Sequence, residues 1–380
     1  MVFSFARRRS DGQQARPAPR VGEWREVVPR TLVAMRQPGA TSRTVLAILW
    51  LVLGAAMVAV TVWLGWTRGR VILNGHPATV VLGLATGLLG FVALAWAVAT
   101  FAIGDRLDRE VDDPERPARR TRAQLERRAK VRILLAVPAL VLAVAAVAIL
   151  GYSRPLAAAP EAAAALRTEN GVRLVDRVTW YELVPSVEDA SGTAVRPTTG
   201  LVFLPGARVD AQAYAPELRR VSQAGYLVVV LKEPFGFSIV DRDHTRTIIE
   251  NHPEIQHWAV GGHSLGGTVA AAYADGDRRV EGLLLLASYP ASRLERGDLR
   301  VTSVSGDLDR LVTPADVARS RANLPADTTF VVVPGASHAS FGAYGAQPGD
   351  GTPTIDPAVA QEQVAAAAVA LLAAITPEPK

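Results

Sequence analysis

The chain has no cysteine among its 380 residues, which excludes disulfide bonds, thiolate metal sites and a cysteine nucleophile. It also lacks a strong excess of charge, because 41 basic residues are balanced by 36 acidic ones. No basic stretch is interleaved with aromatic side chains, so a nucleic-acid partner is not expected. The histidines and carboxylates show no metal-ligand spacing, and we therefore expect neither a metal ion nor an organic cofactor.

Long apolar runs are what the first part of the sequence has in abundance. They cover residues 45–66, 79–103 and 131–152. A helix over the first run would reach roughly 33 Å, enough to cross the bilayer core. The length of these runs disfavours the alternative of three buried helices in a soluble core. We therefore predict three transmembrane helices, with the lipid bilayer as a partner.

Arginine and lysine are distributed unevenly around these runs. The predicted tail 1–44 has nine arginines and the loop 104–130 has nine basic residues, whereas the loop 67–78 has only Arg68 and Arg70. By the positive-inside rule, the tail and the loop 104–130 face the cytoplasm. We expect a multi-pass protein of the cytoplasmic membrane whose part after Tyr152 is extracytoplasmic. Residues 153–168 are rich in alanine and predict a linker, with signal-peptidase cleavage as the alternative.

The remaining residues, 169–380, alternate between short apolar runs and mixed segments. Runs such as LVFL, LVVVL and FVVV are apolar throughout, and helix-like segments separate them. This pattern is typical of a mostly parallel sheet with helices on both faces. Only the short segment ASYPASRLERGD separates two late strands, which leaves no room for a large cap. We predict one α/β domain with an open site.

The segment WAVGGHSLGGTVAAAYA contains a candidate nucleophile, Ser264. It matches the pattern G-x-S-x-G, in which a tight strand-to-helix turn projects the serine hydroxyl. The positions two before and two after the serine must be tiny, or their side chains would collide. The residues of this predicted elbow around Ser264 are Gly262, His263, Leu265 and Gly266. The pattern is weak alone, but an apolar run precedes it and an alanine-rich run follows.

A nucleophilic serine needs a base, and the base needs an orienting acid. His338 follows a late apolar strand, at the edge of a parallel sheet where ligands bind. Asp307 and Asp309 follow another strand, and the chain order Ser264, Asp309, His338 suits this architecture. We favour Asp309 as the acid, and Asp307 as a residue that braces the turn. His263 is interpreted as structural or substrate-lining.

Stabilising the charge of the transition state requires two backbone N–H donors. Leu265 directly follows Ser264 at a helix N-terminus and is the first candidate. The second is Gly206 or Ala207, because Pro205 in the same loop has no N–H. The candidates for lining the substrate pocket are Phe235, Phe341 and Tyr344.

Together these segments resemble the α/β-hydrolase superfamily, and within it the small bacterial α/β-hydrolase family 5. The resemblance covers about residues 199–363 and rests on FLPGARVD, GGHSLGG, GDLDRLVTP and GASHASFGAYG. It implies the α/β-hydrolase fold, with Ser264 as nucleophile, Asp309 as acid and His338 as base. Ala207 stands where a second glycine is common. The related dienelactone hydrolases use a cysteine nucleophile, which this chain lacks.

From these observations we expect a membrane-anchored, esterase-like serine hydrolase that cleaves a small or exposed ester or thioester through an acyl-enzyme. The substrate would be a small molecule or an ester of a lipid or of the cell envelope. An acyltransferase on the same three residues, acting on a lipid or an envelope glycan, is one alternative. A non-catalytic membrane binding module is the other.

Overall fold

The computed structural model describes residues 38–111, 122–188, 194–240 and 243–377. Most of the predicted tail 1–44 lies outside the described residues. The centre of the predicted basic loop 104–130 lies outside them as well.

Three long helices form the N-terminal half: α1 (Pro38–Asn74), α2 (Pro77–Val111) and α3 (Arg122–Tyr152). Each contains one of the predicted apolar runs. The portions long and apolar enough to cross a membrane are Thr44–Asn74, Pro77–Ala102 and Leu134–Tyr152. Many of their large apolar side chains are exposed, which suits helices surrounded by lipid tails.

Small residues let α1 and α2 approach closely. A β-carbon added at Gly54 would lie 2.9 Å from the carbonyl oxygen of Gly90, and one added at Gly90 would lie 2.9 Å from that of Gly54. The Thr61 hydroxyl lies within hydrogen-bond distance of the Met57 carbonyl at 2.9 Å and of the Gly83 carbonyl, on the neighbouring helix, at 3.2 Å. Close backbone approach of this kind is the usual way in which helices associate in lipid.

The prediction of a loop over residues 67–78 is wrong. Helix α1 continues to Asn74 and α2 begins at Pro77, which leaves only Gly75 and His76 as the connection. No proline lies between Trp66 and Pro77, so the helical hydrogen bonds continue past the apolar run. The helix ends before a glycine, as helices commonly do.

An eight-stranded sheet forms the centre of the C-terminal half, in the spatial order β1-β2-β6-β5-β7-β8-β9-β10. Strands β1 and β2 form an antiparallel pair, β2 runs antiparallel to β6, and the strands from β6 to β10 are parallel. Strands β3 and β4 form a separate hairpin. In chain order the strands are β1 (Val172–Asp176), β2 (Trp180–Pro185), β3 (Val187–Glu188), β4 (Ala194–Val195), β5 (Thr199–Leu204), β6 (Leu227–Leu231), β7 (His257–His263), β8 (Val280–Leu286), β9 (Arg300–Gly306) and β10 (Thr329–Val333).

Helices cover both faces of this sheet, as the fully apolar strands predict. On β6, Val228 and Val230 belong to the core on one face, whereas Val229 and Leu231 belong to the core on the other. The covering helices are α4 (Pro160–Ala165), α5 (Ala215–Gln223), α6 (His244–Asn251), α7 (Leu265–Gly276), α8 (Pro314–Ser320) and α9 (Pro357–Ile375). The result is the predicted α/β sandwich.

Two segments are better integrated into this domain than their composition suggests. Helix α9 is apolar enough to cross a membrane, but Leu371, Leu372 and Ile375 are buried in the domain core. The predicted linker 153–168 contains α4, whose Ala162 is fully buried. Helix α9 therefore packs in the core of the domain, and the predicted linker packs onto the domain.

A buried carboxyl group lies in the first turn of α5. Neither oxygen of Glu217 has a hydrogen-bond partner in another residue that the structure describes. Burial raises the pKa of Glu217 from 4.5 to about 8. The group is therefore protonated at neutral pH, because an ionised carboxylate without a partner is costly inside a protein.

Glu217 makes the stability of the domain dependent on pH. Between pH 4.5 and about 8 the folded chain keeps a proton that the unfolded chain has released. The free energy of unfolding therefore falls as the pH rises through this window, by roughly 1.4 kcal/mol per unit. We expect Glu217→Gln to remove this pH dependence. The midpoint temperature of thermal unfolding of the variant, relative to that of wild type, should therefore increase from pH 5 to pH 8. Glu362→Gln, at an exposed position on α9, is the control. A difference between Glu217→Gln and wild type that stayed constant at all pH values would contradict the raised pKa of Glu217.

Candidate active site

Ser264 occupies a strained turn between β7 and α7. Its φ of 53° and ψ of −123° place it in a region that residues with a side chain rarely adopt. The turn is held on both sides: the Ser264 N–H donates to the Leu286 carbonyl at 3.0 Å, and the Ser288 hydroxyl donates to the Ser264 carbonyl at 2.6 Å. The sheet reverses its strand order between β5 and β7, and ligands of such folds bind at that point.

The two glycines of the pattern are sterically required. A β-carbon at Gly262 would lie 2.4 Å from the backbone carbon of Gly266. A β-carbon at Gly266 would lie 2.1 Å from the carbonyl oxygen of Leu204, at the end of β5. Neither neighbour is a movable side chain, so the turn can form only with glycine at both positions.

His338 and Asp309 are in contact, and the His338 ring lies 4.6 Å, between centroids, from that of His263, the residue before Ser264. Both side chains are buried, and Nδ1 of His338 lies 2.9 Å from Oδ2 of Asp309. The other carboxylate oxygen of Asp309 accepts hydrogen bonds from the N–H groups of Leu311 and Val312, each at 2.8 Å. These bonds orient the carboxylate toward the imidazole.

Asp307 has a different position. Its Oδ1 accepts a hydrogen bond from the Gly335 N–H at 2.6 Å and so joins the loop after β9 to the loop after β10. It braces the turn, whereas Asp309 contacts His338. The geometry therefore separates the two aspartates that the sequence leaves as alternatives.

Asp350 holds the His338 loop in place, a role that the sequence does not reveal. Its Oδ1 accepts from the His338 N–H at 3.1 Å, and its Oδ2 accepts from the Ala339 N–H at 2.9 Å. The only sequence signal is a lone aspartate between two glycines, in PGDG. This signal does not identify the backbone that the carboxylate binds.

His263 is fully buried and connects three parts of the site. The Tyr214 hydroxyl accepts from the Gly206 N–H at 2.9 Å and lies 2.9 Å from Nδ1 of His263. Nε2 of His263 lies 3.2 Å from the His338 carbonyl, which can only accept, so Nε2 carries the proton. Burial lowers the pKa of His263 well below its usual value, and the neighbouring His338 lowers it further. His263 is therefore neutral and structural.

This network narrows the choice of oxyanion donor. The Gly206 N–H already donates to Tyr214, so Gly206 is the weaker of the two predicted candidates. Ala207 follows it in the same loop, and no bond from its N–H is found within the described part of the chain. Leu265 is the first residue of α7, where a backbone N–H has no acceptor within the helix.

Two of the predicted pocket residues are buried against His263. Phe341 is only 1% exposed, and Tyr344 is also buried. The ring centroids of both lie 6.2 Å from that of His263. The turn His338–Phe341 directs Phe341 inward, which its spacing in the sequence does not show. Phe235 is half-buried and has a strained φ of 55°.

A separate surface cleft is lined by Trp180, Glu182 and His252. Leu227, the first residue of β6, also lines it, so the cleft lies at the amino ends of the parallel strands. Ser264 lies at their carboxyl ends. Within the described ranges, no group of three or more His, Asp or Glu side chains is placed to hold a metal ion.

Comparisons with known proteins include a family match and similar solved structures. Residues 200–363 match α/β-hydrolase family 5. No curated protein matches the chain. One similar solved structure is a protein provisionally named a dienelactone hydrolase from Klebsiella pneumoniae subsp. pneumoniae, with 17% identity and a TM-score of 0.39, covering 51% of this chain and 92% of that one. Another is the ferulic acid esterase of Streptomyces cinnamoneus, with 15% identity and a TM-score of 0.42, covering 53% of this chain and 84% of that one. The sheet order, the strained turn at Ser264 and the family match show that the C-terminal half of this chain has the α/β-hydrolase fold.

Proposed function

We propose that this protein is a membrane-anchored serine hydrolase that cleaves an ester or thioester through an acyl-enzyme. The observation that carries the proposal is the buried contact between His338 and Asp309, together with the packing of His338 against His263, the residue before the strained Ser264. A binding module would have no need for a buried imidazole oriented by a carboxylate. The pairing therefore favours catalysis over the non-catalytic alternative.

In the proposed mechanism the Ser264 hydroxyl attacks the ester carbonyl, and its proton moves to Nε2 of His338. Asp309 holds the Nδ1–H and stabilises the imidazolium that forms. The N–H groups of Leu265 and Ala207 donate to the oxyanion of the tetrahedral intermediate. The intermediate collapses, and the leaving alcohol or thiol takes the proton from His338. Water, deprotonated by His338, then attacks the acyl-enzyme and releases the acid and the free serine.

The short connection between β8 and β9 supports a small or exposed ester as the substrate. Between β8 and β9 the chain makes a short connection without a helix, so no cap covers the carboxyl ends of the strands there. An alcohol could enter such a site in place of water. Product analysis with added alcohols therefore separates hydrolysis from the acyltransferase alternative.

Covalent labelling tests the proposed nucleophile. A fluorophosphonate probe should label the wild-type protein, because an activated serine attacks phosphorus as it attacks a carbonyl. We expect Ser264→Ala to abolish the label. Ser320→Ala, which removes a buried hydroxyl on α8, is the matched control and should keep it. A folded wild-type protein that never labels would favour the binding-module alternative.

A matched pair of substitutions tests the proposed acid. We expect Asp309→Asn to lower kcat for a soluble aryl ester by about 10⁴-fold, because the imidazole loses its correct tautomer. Asp307→Asn should change kcat by less than about threefold, since an amide oxygen can still accept from Gly335. Equal losses in steady-state kinetics of the two variants would refute the assignment.

We also propose that the hydrolase domain lies outside the cytoplasmic membrane. The support is the excess of arginine and lysine in residues 1–44 and 104–130, together with the three apolar helices among the described residues of the N-terminal half. Protease added to spheroplasts of an expressing bacterium should degrade the domain while a cytoplasmic marker stays intact. If the domain stayed intact until the spheroplasts were lysed, the proposed orientation would be wrong.

A further inference from the structure

The end of the third apolar helix packs beside the oxyanion loop, residues 205–210, which carries the proposed donor Ala207. Tyr152, the last residue of α3, stacks on Phe237 with ring centroids 5.9 Å apart and planes inclined by 2°. Its carbonyl accepts from Nη1 of Arg208 at 3.0 Å, and the Arg208 guanidinium lies 5.0 Å from the Tyr152 ring centroid. Arg208 directly follows Ala207, so a membrane-type helix ends one residue from a proposed oxyanion donor.

The chain after α3 then runs along this loop. Leu156 N–H donates to the Arg208 carbonyl at 2.6 Å, and Asp210 N–H donates to the Leu156 carbonyl at 3.0 Å. Leu156 is four residues beyond Tyr152, and four residues span at most about 14 Å. If α3 crosses a bilayer, the mouth of the site therefore lies close to the membrane surface.

Contacts of α2 and of Arg154 also place the site near the membrane surface. Helix α2 packs against the turn Pro234–Gly236, which adjoins the oxyanion loop through a bond from Arg208 N–H to the Gly236 carbonyl at 2.7 Å. Just after α3, the Arg154 guanidinium lies 5.1 Å from the ring centroid of Trp63. Tryptophan and arginine side chains are both typical of the lipid headgroup level.

Exposed apolar side chains extend from this contact. Ile239 is 50% exposed and Val240 is 54% exposed, in the turn that follows Phe237. The same turn is tied to the oxyanion loop, because the Ser238 hydroxyl donates to the Pro205 carbonyl at 3.2 Å. A bilayer surface beside α3 would cover both side chains, whereas water would leave them exposed.

We propose that the substrate is an amphiphilic ester held in the bilayer, with its acyl chain in the hydrocarbon and its ester bond at the headgroup level. This proposal rests on the proposed serine hydrolase function and adds the source of the substrate. The amphiphile reaches Ser264 by lateral movement past Ile239 and Val240, without leaving the membrane. The absence of a cap between β8 and β9 fits this route, because the lipid surface itself shields the acyl chain from water.

The test uses the full chain reconstituted in phosphatidylcholine vesicles, with two fluorogenic esters. One ester is short and water-soluble, and the other has a long acyl chain and resides in the vesicles. The measured quantity is the rate on the vesicle-borne ester divided by the rate on the soluble ester. We expect Val240→Glu to lower this ratio about tenfold, because a charge replaces an apolar side chain at the lipid surface. Ile239→Glu is a second variant with the same expected effect.

The control is Val332→Glu, a comparable change at a valine that is 57% exposed on β10, at the opposite edge of the sheet. Its ratio should equal that of wild type, and fluorophosphonate labelling in detergent reports whether each variant folds. Wild-type hydrolysis of the soluble ester alone would overturn the proposal. So would equal ratios in wild type, Val240→Glu and Ile239→Glu. A wild type that hydrolyses neither ester and takes no label would overturn the proposed function itself, and this proposal with it.

Discussion

The first turn of α7 packs backbone against backbone on the carboxyl end of β5. Gly266 makes this contact possible, because a β-carbon there would also lie 2.4 Å from the Pro205 carbonyl oxygen. The contact brings the N-terminus of α7, with Leu265, next to the loop that carries Ala207. Both proposed oxyanion donors therefore depend on a position where only glycine fits. The same contact holds Ser264 in its strained conformation, since the turn has no room to relax.

A second constraint joins the loops around this turn. Tyr214, His263 and the His338 carbonyl form a chain of hydrogen bonds inside the protein, and each donor in it meets one acceptor. It links the oxyanion loop, the end of β7 and the loop of the proposed base. Asp350 anchors that last loop from the other side. Hydrogen bonds of this kind keep the geometry of a site without a ligand, as a candidate active site requires.

The apolar helices and the hydrolase domain are physically coupled at this same place. Arg208 contributes its carbonyl to Leu156 and its guanidinium to Tyr152, and its own N–H bonds to Gly236. One residue of the oxyanion loop thus connects α3, the strand-like segment after it and the turn at Pro234–Gly236. The position of the site relative to the ends of the helices follows from these bonds and from the short connection, and not from a flexible tether.

Local patterns in the sequence determined the three apolar helices, the parallel sheet and the turn at Ser264. Hydrophobic period, helix ends and tight turns depend on residues that are close along the chain, and so these features could be predicted. The extent of α1 could not, because helical hydrogen bonds continue beyond the apolar residues that mark a span. Only the tertiary structure decided which aspartate contacts His338, that Tyr214 occupies the Gly206 N–H, and that Phe341 and Tyr344 are buried against His263. It also decided that Tyr152 lies beside Arg208. Each of these contacts joins segments far apart in the chain, and no local pattern records which partner a side chain will meet after folding.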